Sequence, residues 1–200
     1  KREDRITMSC GVAYDATALA PRWCQYLREA FLDDEEMIAF IQRAMGYSLT
    51  GITKEQCFFL LYGMGRNGKG TLVETLRKIA GEYAINVQVE TLSMRREGGV
   101  SPDLATMAGA RVVTASEGKE GLPLDEGLIK QITGGDPLTC NPKYRDPFSF
   151  FPEFKLWFSA NYKPRITGTD LGIWSRVHMI PFTQSFTGDK EDKGLRAKLD

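Results

Sequence analysis

The sequence has 200 residues, with 26 Lys and Arg, 26 Asp and Glu and one His, a length that suits one ordinary domain with room for a small appendage. Balanced charge means that a nucleic-acid site has to be a local cluster, not the whole surface. Cys10, Cys24, Cys57 and Cys140 show no paired spacing; with a single His they argue against zinc and for reduced thiols, and no stretch reads as a membrane span or a signal peptide.

Pro21 is placed to open a helix, and Trp23, Tyr26, Leu27, Ala30 and Phe31 recur on one face at three- and four-residue intervals. The carboxylates of Asp33 and Asp34 suit the start of a second helix, with Met37, Ile38, Ile41, Ala44 and Met45 inward and Gly46 or Gly51 at its end. Residues 1–50 therefore read as a small N-terminal helical domain whose aromatic stripe is core. Thr53 and Gln56 match a capping box with room for a single turn.

The apolar run from Cys57 to Tyr62 has the length of a buried strand. It breaks into a Gly-rich turn and then into helical spacing from Leu72 to Ala80. Gly63, four residues, Gly68 and Lys69 make a phosphate-binding loop in its required setting, with backbone N–H groups turned inward at a helix N-terminus. The cradle is Gly63, Gly65, Arg66, Asn67, Gly68, Lys69, Gly70 and Thr71. Such a loop expects a hydroxyl directly after the lysine to hold Mg²⁺, and Gly70 stands there with Thr71 one place later. Either Thr71 reaches the metal in a shifted register or water fills that position.

Gly81 closes the loop's helix, and residues 85–89 alternate as a strand. The stretch 93–100, with Arg95, Arg96, Gly98 and Gly99, has loop composition. Ser101, Pro102 and Asp103 start a helix that closes at Gly109. Residues 111–116 read as a second buried strand with Glu117 just past its C-terminal end, where α/β sheets place their chemistry. Beside a phosphate loop such a carboxylate holds Mg²⁺ through water or polarises the attacking water.

Residues 124–132 form a helix capped by Asp125 and closed by Gly134 and Gly135. The stretch 136–151, with Pro137, Pro142 and Pro147, reads as a β-hairpin whose tip lies near Pro142, Lys143, Tyr144 and Arg145. Those tip residues suit nucleic-acid contact and solubility equally well. Residues 154–160 are a third buried strand that delivers Asn161, either a turn residue or an amide that orients a hydrolytic water. A short helix, 171–175, leads to Arg176 and a fourth strand, 177–182. Arg176 is either an ordinary ion-pair partner or a group that reaches a neighbouring subunit's nucleotide. His178 is a strand residue without chemistry. The fold expected is α/β: a mainly parallel sheet flanked by helices, of the P-loop NTPase type, preceded by the helical domain.

The phosphate loop, Ser116-Glu117, Thr133-Gly-Gly-Asp136, Ser159-Ala-Asn161 and Trp174-Ser-Arg176 stand in an order that resembles a superfamily 3 helicase. More narrowly, the chain is similar to the helicase part of phage and plasmid primase-helicases, related to poxvirus primase-helicases. Tyr14-Asp15, Pro21-Arg-Trp23, Phe31-Leu-Asp-Asp34 and Gly46-Tyr-Ser-Leu-Thr-Gly51 resemble the helical domain that precedes the motor in that family.

The resemblance implies AAA+-like motors in a ring, usually a hexamer, that hydrolyse ATP with Mg²⁺ and translocate on single-stranded DNA. It makes Lys69 and its loop the phosphate ligands, Glu117 the Walker B carboxylate, Asn161 sensor 1 and Arg176 the arginine finger. Lys143, with Tyr144 and Arg145, matches the hairpin tip that grips DNA in the channel. Thr71 and Glu117 are the expected Mg²⁺ contacts, and Glu117 stands alone where many relatives have two acids. Residues 51–200 would be the ATPase core, truncated at its C-terminus, of a protein with a primase domain upstream, in the cytoplasm of a bacterial host or an infected cell. The chain opens on Lys1 and stops within a charged, helix-like run, as an excised segment would.

Two other readings share parts of this pattern. An ATP-gated DNA-binding or assembly module would form nucleotide-dependent oligomers without separating strands. A small-molecule kinase shares the loop and its Mg²⁺ logic but needs neither a neighbour's arginine nor a basic hairpin.

Overall fold

The computed structural model describes residues 7–94, 102–116, 123–142, 144–162 and 171–199. Strands β1 (Phe58–Tyr62), β2 (Ala84–Gln88), β3 (Val112–Ser116), β6 (Lys155–Ala160) and β7 (Val177–Pro181) form one sheet in the order β2-β3-β6-β1-β7. Every pairing in it is parallel. Strands β4 (Leu138–Cys140) and β5 (Phe148–Phe150) pair antiparallel as a separate hairpin.

The central strand β1 is apolar without alternation because both of its faces are covered. Phe58 and Leu60 enter one hydrophobic cluster, with Ile129 and Ile132 of α4 (Glu126–Gly134) and with Leu138 and Cys140 of the hairpin. Phe59 and Leu61 enter the other, with α1 (Pro21–Phe31), α2 (Glu35–Leu49) and α3 (Lys69–Ala80). The result is a three-layer α/β/α arrangement. The N-terminal helices share that second cluster with the sheet.

Helices α1 and α2 form where their apolar stripes predict them. Pro21 opens α1, and Tyr26, Leu27, Ala30 and Phe31 are its buried residues. The Asp34 carboxylate accepts from Met37 N at 3.0 Å as the cap of α2, which runs through Gly46 and stops at Leu49. Two side chains of β6 tie α2 and its exit to the sheet. Trp157 Nε1 donates to Ser48 Oγ at 2.9 Å. Lys155 Nζ donates to the carbonyls of Thr50 and Ile52 at 2.5 and 3.0 Å and lies 4.6 Å from the centre of the Tyr47 ring.

One local expectation holds and one changes. Thr53 to Gln56 forms the single turn for which the sequence leaves room, closed by Gln56 N on Thr53 O at 3.0 Å, because the chain must already extend to enter β1. The helix expected after Ser101 forms as a 3-10 turn, Pro102–Met107, a short connector of the kind in which 3-10 geometry is common. The Asp125 cap and the αL Gly135 of α4 stand as expected, the Asp125 side chain accepting from Leu128 N.

Candidate nucleotide-binding site

Sheet order determines which residues meet. Because β6 lies beside β1, Tyr62 pairs with Ala160, Gly63 N donates to Ala160 O at 3.3 Å, and Asn161 follows directly alongside the start of the phosphate loop. On β1's other side, Phe182 N donates to Tyr62 O at 2.7 Å. The loop therefore leaves the sheet between the carboxyl ends of β6 and β7, where α/β folds place ligands.

Backbone conformation makes two glycines necessary here. A Cβ on Gly63, at φ +152°, would lie 2.2 Å from Phe182 O. Gly68 caps α3 in the left-handed region, at φ +93°, and a Cβ there would meet the Tyr26 ring at 3.1 Å. Asn67, almost fully buried, braces the loop by donating Nδ2 to Phe182 O at 3.3 Å and accepting Lys69 N on Oδ1 at 3.4 Å. Tyr26 of α1 donates its hydroxyl to Gly68 O at 3.0 Å; burial pushes this phenol's pKa up.

Lys69 is the first residue of α3, and its side chain is 6% exposed. Its ammonium donates to Gly63 O and, at 3.1 Å, to Asn161 Oδ1. Burial pushes its pKa below the ordinary lysine value, and among the described residues its hydrogen-bond partners are neutral oxygens, so the site holds a poorly solvated cation. Around it opens a cavity of about 490 Å³, lined among others by Gly65, Arg66, Gly70, Thr71, Ser159 and Asn161. That volume lies within the usual range for ligand pockets.

The arrangement fits a nucleoside polyphosphate. Loop amides at a helix N-terminus and a desolvated ammonium both favour an anion. It also fits Mg²⁺, which needs few protein ligands when phosphates supply the rest. Gly70 and Thr71 both line the cavity, and Thr71 carries the hydroxyl that the loop would offer to such a metal. Among the described residues no group of three or more His, Cys, Asp or Glu could hold a metal.

Of the residues singled out in the sequence, Lys69, the loop and Asn161 come together. Strand β3 ends at Ser116, in register with Ser159; Glu117 lies outside the described residues, as do Arg95, Arg96 and Lys143. Tyr144, fully exposed with φ +61°, and exposed Arg145 stand at the turn between β4 and β5. Arg176 is not part of the Lys69 cluster. It follows the short helix α5 (Leu171–Trp174) and precedes β7, and its carbonyl accepts from Phe58 N at 2.8 Å, at the opposite end of the strands. Its guanidinium donates to Thr133 Oγ1, Gly172 O and Gln56 Oε1 at 3.1, 2.7 and 3.2 Å, all neutral acceptors that orient it and leave its charge intact. His178 packs between Phe40 and Phe59 at 5.6 and 5.9 Å, a strand residue in an aromatic cluster.

Sequence reasoning missed the outer wall of the cavity. Arg22, Phe186, Asp192 and Arg196 also line it. The Arg22 to Asp192 pair, 3.3 Å apart, joins residues 170 positions apart. No local pattern signals such a pairing; only the charged composition of the last twenty residues hints at it.

A parallel five-stranded sheet with this loop at its carboxyl edge defines a P-loop NTPase fold. The profile of a family described as "Family of unknown function (DUF5906)" matches residues 61–176, and the chain belongs to that family. It is 32% identical over 160 residues to "Putative helicase L207/L206" of Acanthamoeba polyphaga mimivirus, covering 79% of this chain and 17% of that protein. It is 29% identical over 192 residues to "Putative helicase 022R" of Frog virus 3, covering 92% and 19%. The chain thus spans about a fifth of the length of these curated relatives. Among solved structures it is similar to the apo NrS-1 C-terminal region, with a TM-score of 0.65 at 14% identity, covering 91% of this chain and 43% of that one. The JCV helicase is also similar, with a TM-score of 0.52 at 14% identity and coverages of 84% and 46%. Those two likenesses establish the shared fold, in agreement with the superfamily 3 resemblance of the sequence.

Proposed function

We propose that this chain is the ATP-hydrolysing motor of a replicative DNA helicase that works as a ring, usually a hexamer, on single-stranded DNA. The observation that carries the reading is the buried Lys69 ammonium, bonded to Asn161 at 3.1 Å on the floor of a nucleotide-sized cavity. The helicase names of the viral relatives support the same reading.

In this scheme Lys69 and the loop amides bind the phosphates of ATP, and Mg²⁺ supplies charge neutralisation at the terminal phosphate. Thr71 and Glu117, which follows β3, would hold the metal; Glu117 activates the attacking water, and the Asn161 amide orients that water. Arg176, at the far end of the sheet, completes a neighbouring subunit's site, an assignment supported by its neutral acceptors and its distance along the strands from Lys69. Lys143, Tyr144 and Arg145 at the hairpin tip hold the DNA strand, with exposed Tyr144 available to stack on a base. A primase domain upstream in the same protein would lay primers on the strands that the motor exposes.

The test is strand separation on a forked DNA duplex by the intact protein. ATP-dependent unwinding that is lost in Lys69→Ala supports the motor. ATP-dependent oligomers that never separate strands would favour an assembly module, and phosphorylation of a small molecule would favour a kinase.

A further inference from the structure

Beyond β7 the chain returns across the mouth of the cavity. Phe186 N donates to Arg66 O at 2.8 Å, which ties the return to the tip of the phosphate loop. Asp192 then accepts from Arg22 of α1 at 3.3 Å and from Lys198 at 3.0 Å, and Leu195 packs against the cluster formed by α1, α2 and α3. These contacts position the short helix α6 (Leu195–Lys198) beside the start of α3.

Arg196 on α6 lines the same cavity as Lys69 and Asn161. Among the described residues it has no ion-pair partner. It stands against the one position at which the loop departs from the usual pattern. A Cβ on Gly70 would lie 3.4 Å from Arg196 Nη2, in van der Waals contact with it, so a longer side chain at this position would compete with the guanidinium for the same space.

We infer that Arg196 is a phosphate-contacting residue supplied by the same subunit, and that Gly70 admits its guanidinium to the polyphosphate of the bound nucleoside triphosphate. The inference rests on the nucleotide-site reading of this cavity. Its chemistry follows from the exchange at position 70: a hydroxyl is absent, and a permanently charged planar fork, well matched to phosphate oxygens, stands in the space. Arg22, through Asp192, is a positioning residue for this arm.

The test is calorimetric titration of the intact protein with ATP and Mg²⁺, and separately with inorganic tripolyphosphate. Wild type is compared with Lys69→Ala, Arg196→Gln, Arg196→Lys and Gly70→Ser. The expected result is at least tenfold weaker binding of both ligands in Arg196→Gln, partial recovery in Arg196→Lys, and weaker binding in Gly70→Ser because the added side chain displaces the guanidinium. Arg196 is exposed, so the thermal midpoints without nucleotide should stay together. Wild-type affinity in Arg196→Gln with loss in Lys69→Ala would overturn the inference and leave the nucleotide site standing. Tighter Mg²⁺-dependent binding in Gly70→Ser would also overturn it, since position 70 would then be only a missing metal ligand. Failure of the wild type to bind either ligand would remove both readings.

Discussion

Lys69 Nζ and Asn161 Oδ1 lie 3.1 Å apart, although the two residues are 92 positions apart in the chain and leave different strands. The late strand β6 inserts beside β1 and brings the amide to the loop. Since the amide would act on the attacking water more than on the bound nucleotide, Asn161→Ala should lower kcat about 100-fold with KM little changed. Steady-state ATP hydrolysis checks this, and a rise in KM at constant kcat would assign Asn161 to binding instead.

Burial depresses the Lys69 pKa, and an anion in the loop would raise it again. Nucleotide binding should therefore take up protons on the alkaline side, and affinity should fall as pH rises through the depressed pKa. Calorimetry in buffers of different ionisation enthalpy measures that uptake directly. It should vanish in Lys69→Met.

The Tyr26 hydroxyl bonds to Gly68 O at 3.0 Å, and that carbonyl also accepts from Thr71 N and Leu72 N. Tyr26→Phe should cost about 1 kcal/mol of stability, the net value of a typical hydrogen bond. It should also weaken nucleotide binding by loosening the turn at Gly68. Urea unfolding and ATP titration of the same variant check the two effects.

Lys155 is almost fully buried, and burial, with Arg111 next in effect, pushes its pKa down to about 8. The unfolded chain then binds more protons than the folded one above that pH, so this group's contribution to stability improves as pH rises from the folded pKa toward the ordinary lysine value. Relative to Lys155→Met, the wild type should gain about 1 kcal/mol between pH 7 and pH 9. Cys57 and Tyr26, whose pKa values burial raises, oppose the trend at higher pH, so the variant comparison carries the test. Unfolding curves at the two pH values supply it.

The parts that sequence made legible are those written in local chemistry. Pro21, the Asp34 and Asp125 caps and the αL Gly135 mark helix ends through contacts within a few residues. The phosphate loop is likewise set by neighbours in sequence. What stayed hidden depends on sheet order and long-range pairing. The insertion of β6 between β3 and β1 decides that Asn161 meets Lys69, and no periodicity encodes it. Tyr26 fits its stripe as core, yet its hydroxyl also holds Gly68. The charged run near the C-terminus reads as a solvated surface because the partner of Asp192 is Arg22, far away in α1. Thr53 to Gln56 resembles a helix start, and strand entry at Phe58 holds it to the single turn that the sequence already allows.

The most direct test of the central claim is ATP hydrolysis by the intact protein across protein concentration, with and without single-stranded DNA, beside Lys69→Ala and Arg176→Ala. A shared site predicts specific activity that rises with concentration and with DNA and is abolished by either substitution. Concentration-independent hydrolysis that Arg176→Ala leaves unchanged would contradict a motor whose catalytic site is completed by its neighbour.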